Sequence, residues 1–506
     1  MGFWRQLIRN ATAFWGSLAV RTVVAFFFTP FIAASLGSAV YGLWVVIFQT
    51  ITYCTLFDFG LEKALTRFIG WSESVSDYRE TNRILNSAFI LYGTAGFLVL
   101  VVTPILVQLV IRSIAMSVPG AGEQPVYAFY IIGAYLAVRF WLTPFAGSLG
   151  GFQRFDIANG LEIGEELIRT LLMVAALIAG FGLVALASII FGASLIRQVA
   201  AIVWLRRIRP HTRLDLHLAD RRTARNLVDY SAIAFGISIA WLVIFNTDSI
   251  LLGLLLGPAA AGVYAPGAQM MLYLRQIVNA VGNPLMPAIS QLEGRRQDEK
   301  IRQVYFRISG YMTFAAVFAC AGVVLYAHPF VRLWLPQEFA ASGSVMVVLA
   351  AGSAFYLPHI IGNAMLFGLG RHKFLFYTLA FEGSLKLALS FVLIPRYGVT
   401  GMALAAAVPQ VVTYVAFFPW MMSRQLAFPL RHLAVSMIRS GSLALLVSVP
   451  TALILRYLLG VQNWFDFGLN VGVVTAVALV AAWYVLIDKP DRERLTAYLR
   501  GAFPRS

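Results

Sequence analysis

Charge is scarce in this sequence. Only 12% of its 506 residues are Asp, Glu, Lys or Arg, about half the share of a soluble domain. That scarcity excludes an ordinary water-soluble globule. Cysteine is nearly absent as well: Cys54 and Cys320 both fall inside apolar runs. They cannot build a disulfide framework or a thiolate metal cluster, and each reads as a small buried hydrophobe. The six histidines are scattered without metal-ligand spacing, so no metal site is expected. Long polar stretches are missing too. No stretch of about 100 residues is free of long apolar runs, which excludes an independent catalytic domain. The longest polar segment, 206–227, is basic and lacks both a phosphate-cradling glycine loop and paired carboxylates. Nothing here hydrolyses ATP, and no cofactor is expected.

What the chain has instead is apolar bulk: 59% hydrophobic residues and a mean hydropathy of +0.77. Its 39 Lys and Arg against 23 Asp and Glu give a net charge of +16, which in a soluble protein would suggest nucleic acid. The apolar fraction decides otherwise. The class is an all-α polytopic membrane protein, with no nucleic-acid partner expected. The N-terminus is not a signal peptide, since the apolar stretch after it contains Arg21 and runs on too long. Gln6 stands where myristoylation would want Ser or Thr. Phe3, Trp4, Leu7 and Ile8 share a helical face beside Arg5 and Arg9, the pattern of a short interfacial helix.

About 20 apolar residues cross the hydrocarbon core as a helix. Fourteen segments qualify: 11–35, 39–61, 84–112, 125–147, 160–180, 182–205, 228–256, 259–290, 303–333, 342–368, 374–394, 399–421, 434–457 and 466–487. Several hold proline, read as kinks whose freed carbonyls neighbouring helices satisfy. With the N-terminus cytoplasmic, the inner segments hold 28 of the 39 bases and the outer loops hold four. That asymmetry sets the orientation and places both termini inside. Anionic lipid headgroups are the expected neighbours of the inner bases. The outer loops are too short for the acidic catalytic residues of a membrane-embedded glycosyltransferase.

The chain also resembles itself. "LGSAVYGLW" (36–44) and "LGPAAAGVY" (256–264) match at an offset of 220. At 217, Gly151 and Arg154 fall on Gly368 and Arg371, Glu165 on Glu382, and Arg169 on Lys386. The expected organisation is a six-helix lobe over 1–205 and a basic cytoplasmic linker over 206–227. A second six-helix lobe follows over 228–421, then an extra helix pair over 434–487 and a cytoplasmic tail over 488–506. An even number of spans per half predicts parallel repeats about an axis along the membrane normal.

Charges inside spans cost about 2.5–3.5 kcal/mol each on insertion scales, so each needs a reason. Arg21 lies about 15 Å into the first span at 1.5 Å per residue, near the midplane. Arg275 lies sixteen residues into the long eighth span, again near the middle, with Asn279 one turn on. Neither has a carboxylate three or four residues away. An arginine fork matches phosphate oxygens, so the pair suits an anionic substrate. The alternative is pairing across helices with Asp248, Glu162 or Glu166. Arg139 and Arg197 are further binding candidates. Glu165 with Arg169, and Glu382 with Lys386, have i,i+4 ion-pair spacing with the acid N-terminal, the better order. These glutamates and Asp248 are also where coupling to protons or sodium ions would reside. Asp58, near the inner end of the second span, is accounted for by interfacial solvation.

The segment "FFFTPFIAASLGSAVYGLWVVIFQTITYCTLFDFGLEKALTRFI" (26–69) resembles the opening of bacterial polysaccharide and O-antigen flippases. These belong to the multidrug/oligosaccharidyl-lipid/polysaccharide exporter superfamily. "NTDSILLGLLLGPAAAGVYAPGAQM" (246–270) resembles the start of their second lobe, and "NPLMPAISQLEGRRQDEKI" (283–301) the helix end and loop after it. The resemblance implies two six-helix lobes, alternating access and a cationic cavity. It also implies a polyprenyl-diphosphate-linked oligosaccharide as substrate, bound near Arg21 and Arg275, and a place in the bacterial inner membrane beside a polysaccharide polymerase and chain-length proteins. Drug exporters of the superfamily often carry an acid in the first helix. No acid stands between positions 1 and 57 here, and lipid II flippases usually have more bases in the first two helices. Two other readings stay open: an ion-coupled exporter of small molecules, acting through Asp248 or Glu165, and a non-transporting partner in polysaccharide assembly.

Overall fold

The computed structural model describes residues 3–74, 77–282, 285–486, 489, 492, 493 and 496. Among them there is helix and no strand. The helices are α1 (Phe3–Tyr53), α2 (Leu61–Ser74), α3 (Tyr78–Leu106), α4 (Arg112–Ala115), α5 (Gln124–Gly151), α6 (Phe155–Ile178), α7 (Leu183–Ile208), α8 (Arg221–Asn246) and α9 (Asp248–Leu255). After them come α10 (Pro258–Gly282), α11 (Leu285–Gly294), α12 (Asp298–Trp334), α13 (Ser342–Tyr356), α14 (Ile360–Gly368), α15 (His372–Val412), α16 (Phe418–Leu426), α17 (Leu430–Leu459) and α18 (Trp464–Ala481). The chain forms two compact units, 1–265 and 266–506. The division falls within α10, and α8 and α9 pack among the helices of the first unit.

Nine helices among the described residues are long and apolar enough to cross a membrane, or ten if α8 and α9, bent by 47° at Thr247, count as one. One apolar stretch, Lys373–Leu426, has 54 residues. As a straight helix it would reach about 80 Å, against a hydrocarbon core of about 30 Å. Gly398, at φ 59°, breaks it, and Gly37, at φ 71°, breaks α1. These glycines stand where adjoining expected spans meet. α6 carries five charges, and α10 one charge with several glycine, proline, glutamine and asparagine residues, which keeps both off the apolar count. Proline has the expected local effect at two places. Turns of π-helix at Val107–Ile111 and Thr413–Phe417 follow Pro104 and Pro409, where the regular hydrogen-bond ladder is interrupted. At the N-terminus, the backbone of Phe3–Ile8 is the first part of α1. The side chains of the expected interfacial helix lie outside the described residues, as does nearly all of 488–506.

The 36–44 and 256–264 segments meet each other in the first unit. Gly37 and Gly257 both adopt positive φ, 71° and 93°, a conformation costly to any residue with a Cβ. Five residues on, a Cβ at Gly42 would strike the carbonyl oxygen of Pro258, and one at Gly262 would strike that of Ser38. The contact is therefore reciprocal at the 220-residue offset, as in a two-fold crossing. Only glycine lets the two backbones approach so closely. Gly42→Ala must push backbone against backbone and is expected to cost about 1–3 kcal/mol, the usual penalty of overpacking. A thermal melt of the purified protein checks this; an unchanged midpoint would mean that the crossing is not tight.

The basic linker is tied down on one side. Asn82 Nδ2 donates to His211 O at 3.0 Å, and Asn82 Oδ1 accepts from Arg213 N at 2.8 Å. One turn along α3, Asn86 repeats the pattern with Arg213 O and Asp215 N. Ser87 meets the backbone of Asp220, and Asp220 caps α8 by accepting from Thr223. The Thr223 backbone and hydroxyl bonds hold the Asp220 carboxyl below the usual carboxylate range. In the second unit, the extra pair α17 and α18 docks on α12. Tyr326, Ala452, Val461 and Val474 form one shared cluster, and Phe314, Ala444 and Ala478 another. Arg332 and Arg456 fasten the ends, donating at 2.6 Å to Val461 O and Leu325 O.

Candidate functional site

In the first unit the intramembrane charges converge on one face of α6. Glu162, Glu165 and Glu166 occupy little more than one helical turn, and each meets a different arginine. Arg21 Nη1 on α1 lies 2.7 Å from Glu162 Oε1, with Ser17 Oγ 3.5 Å from the other oxygen. Arg197 on α7 lies 2.6 Å from Glu165, and Arg169 lies 2.5 Å from Glu166. The expected Glu165–Arg169 pair is thus corrected. Glu165 turns to a neighbouring helix, and Arg169 takes the acid three residues back instead of four, a spacing equally within reach on a helix. Arg21 is no bare cation either; of the three partners open to it from spacing, it has Glu162. The Arg21 and Glu162 side chains remain 36% and 35% exposed.

Arg139 on α5 donates to Tyr135 Oη one turn back at 3.1 Å, within the field of Glu62 and Glu165. Asp248 is buried at the start of α9, where the helix dipole favours an acid. It accepts a hydrogen bond from Tyr264 Oη at 2.5 Å. The surroundings of this bend are polar: Ser249 N donates to Gln49 Oε1 at 3.2 Å, and the hydroxyls of Tyr53 and Thr247 bond to each other.

The second unit gathers residues that spacing treats as separate. Glu382 and Lys386 on α15 are only 2% and 1% exposed. Glu382 feels Lys386, Arg275 from α10 and the hydroxyl of Tyr414, whose ring lies beside Tyr356 at 5.0 Å. Two bases thus face one buried acid, and two buried phenols share the space. Arg275 and Asn279, one turn apart on α10, are both half-buried. The cluster extends to His359, buried and stacked on Tyr414 at 5.7 Å. His359, Tyr356 and Tyr414 gave no signal in the sequence, because an isolated aromatic in an apolar run looks like core. Among the described residues no group of His, Cys, Asp and Glu could hold a metal ion.

A profile of a family described as polysaccharide biosynthesis protein matches residues 7–293. The chain is 22% identical over 508 residues to EpsK, an uncharacterised membrane protein of Bacillus subtilis (strain 168), covering 97% of each. It is 20% identical to a protein of Shigella flexneri named an O-antigen transporter, covering 83% of this chain and 98% of that one. Among solved structures, an inward-facing multidrug resistance MATE transporter of the MOP superfamily superposes with a TM-score of 0.69 at 15% identity, over 81% of this chain and 94% of that one. The lipid II flippase MurJ, inward closed, does so with 0.67 at 12%, over 94% and 98%. The likeness to these structures shows the fold.

Proposed function

This chain belongs to the polysaccharide biosynthesis protein family, and on that ground we propose that it is a flippase for lipid-linked oligosaccharide. Its substrate is a polyprenyl-diphosphate-linked glycan, carried from the cytoplasmic to the outer leaflet for assembly of a surface polysaccharide. The observation that carries the reading is the sequence likeness, over 83% of this chain and 98% of the other, to the O-antigen transporter. The protein acts as a transporter and not an enzyme, in the bacterial inner membrane with both termini cytoplasmic. A polymerase and chain-length proteins take the glycan onward. The protein works by alternating access.

The chemistry assigned to the charged residues follows from their pairing. A guanidinium held bare in hydrocarbon is costly and would grip a diphosphate too tightly to release it. Arg21 rests against Glu162 and Arg275 in the field of Glu382. A phosphate reaching either arginine competes with a carboxylate for the same fork, and the carboxylate takes the arginine back when the lipid leaves. Arg139 and Arg197 are secondary contacts along the route. Glu165, Glu382 and Asp248 remain the places where an ion could couple to the movement.

Deletion of the gene in its native host tests the reading. Surface polysaccharide is expected to fall at least tenfold, with lipid-linked glycan accumulating in the inner leaflet, and the wild-type gene should restore both. Unchanged polysaccharide with raised drug sensitivity would instead identify a small-molecule exporter. Transport of lipid-linked glycan by the purified protein in liposomes separates a flippase from a non-transporting assembly partner.

A further inference from the structure

A cavity of about 220 Å³ opens in the first unit, walled by the turn after α1, the start of α2, and faces of α3, α5 and α8. None of the residues in the Arg21–Glu162, Arg197–Glu165 and Arg169–Glu166 pairs lines it. Asp58 and Glu62 bring two carboxylates to it, Arg139 a guanidinium and Tyr92 a phenol. Asp58 is only partly buried. Its Oδ1 is shut off from solvent and lacks a hydrogen bond of normal geometry. The same holds for the hydroxyl of Tyr92, a residue 0% exposed that faces it. Asp58 and Tyr92 thus face each other as imperfect hydrogen-bond partners, and with Glu62 and Arg139 they make this side of the cavity polar.

The charges say which guest. Arg139 in the wall opposes a bare cation, and two carboxylates oppose a phosphate. The volume is about seven times a water's share of liquid, too roomy for a single ion. An uncharged ligand that both donates and accepts hydrogen bonds is left. The hydroxyls of Thr55 and Thr143, which donate to Thr52 O and Arg139 O, keep lone pairs to accept with, and Ser238 adds a third hydroxyl to the lining. Phe59 and Phe235, with ring centroids 4.9 Å apart, give one side an apolar surface. Carboxylates, a guanidinium and hydroxyls around an aromatic face match a pyranose, whose hydroxyls are polar and whose C–H face is not.

We propose that this cavity is a subsite for one uncharged sugar residue of the transported glycan, an assignment that rests on the flippase reading. Asp58 and Glu62 accept from ring hydroxyls, Arg139 and Tyr92 donate, and the Phe59–Phe235 pair supports the ring. The site would select among glycans at a place that neither Arg21 nor Arg275 lines.

Saturation-transfer NMR tests it on the full chain in nanodiscs. The probes are free glucose, galactose, N-acetylglucosamine, N-acetylgalactosamine and rhamnose, with sodium chloride and inorganic pyrophosphate as competitors. At least one sugar should bind saturably and be displaced by neither salt. Its dissociation constant should rise at least tenfold in Asp58→Asn and in Thr143→Val, each checked for an unchanged melting temperature. Should Asp58→Asn not fold, Thr143→Val and Tyr92→Phe carry the test. No saturable sugar, a constant unmoved in the folded variants, or displacement by sodium or pyrophosphate overturns the proposal. Sugar binding in a protein whose deletion leaves polysaccharide intact would overturn the flippase reading instead, so the two failures look different.

Discussion

Arg21→Ala, supplied at the wild-type protein level to a deletion strain, is expected to restore less than a tenth of the surface polysaccharide. The substitution removes the cationic fork and also leaves Glu162 without its 2.7 Å partner, so a carboxylate now faces an incoming diphosphate. Both changes oppose binding. The stability cost should be smaller than the transport cost, because both side chains are more than a third exposed and solvent screens such a pair. The double variant Arg21→Ala/Glu162→Ala separates the two effects. It should recover the wild-type melting temperature, since no half-buried charge is orphaned, yet still fail to restore polysaccharide. Glu162→Gln alone keeps the guanidinium and should retain transport. Full restoration by Arg21→Ala, or by the double variant, would remove Arg21 from the substrate path.

Lys386→Met should act the other way, on stability first. Lys386 is 1% exposed and sits one turn from Glu382, itself 2% exposed. Removing one partner of a buried pair leaves an uncompensated charge and costs about 3–5 kcal/mol. At about 2–4 °C per kcal/mol for a unit of roughly this size, the melting temperature should drop by roughly 6–20 °C. Arg275 also lies in the field of Glu382 and should hold the loss toward the lower end. Glu382→Gln/Lys386→Met removes both charges and should recover most of the drop. That recovery identifies a structural pair. A double variant that stays as unstable as Lys386→Met would show instead that Lys386 holds the cluster through contacts other than Glu382. Differential scanning of the purified protein reads all three.

Some of this architecture is written locally. The glycines at 37, 257 and 398 break the chain where adjoining expected spans meet, because a positive φ is a property of one residue and its neighbours. The π-turns after Pro104 and Pro409 are local too. The "LGSAVYGLW" and "LGPAAAGVY" match was visible as spacing, but spacing said nothing of Gly42 and Gly262 lying against each other's repeat. The candidate site was half legible. Arg21, Arg275 and the acids of α6 stand out wherever charge interrupts an apolar run. Their partners do not, and Glu165 shows why. On its own helix Arg169 is a proper i,i+4 partner, while the residue actually beside it, Arg197, belongs to the next helix. Tyr92, Tyr356 and Tyr414 could not be told from core at all, since a phenol in an apolar run has the same spacing whether its hydroxyl faces lipid or an acid.

By itself, then, the sequence determined the membrane class and the helical content, and it predicts the depth of each charge and the side on which the bases lie. These follow from composition, from a rise of 1.5 Å per residue and from the insertion cost of charge, none of which needs a partner. The tertiary structure decided which acid neutralises which arginine, that Glu382 lies within the field of both Lys386 and Arg275, and that Asp58 and Tyr92 line one cavity. Those outcomes depend on the rotation of each helix about its own axis and on where helices cross. Both are set by packing between residues more than a hundred positions apart, as in the 141-residue separation of Arg21 and Glu162.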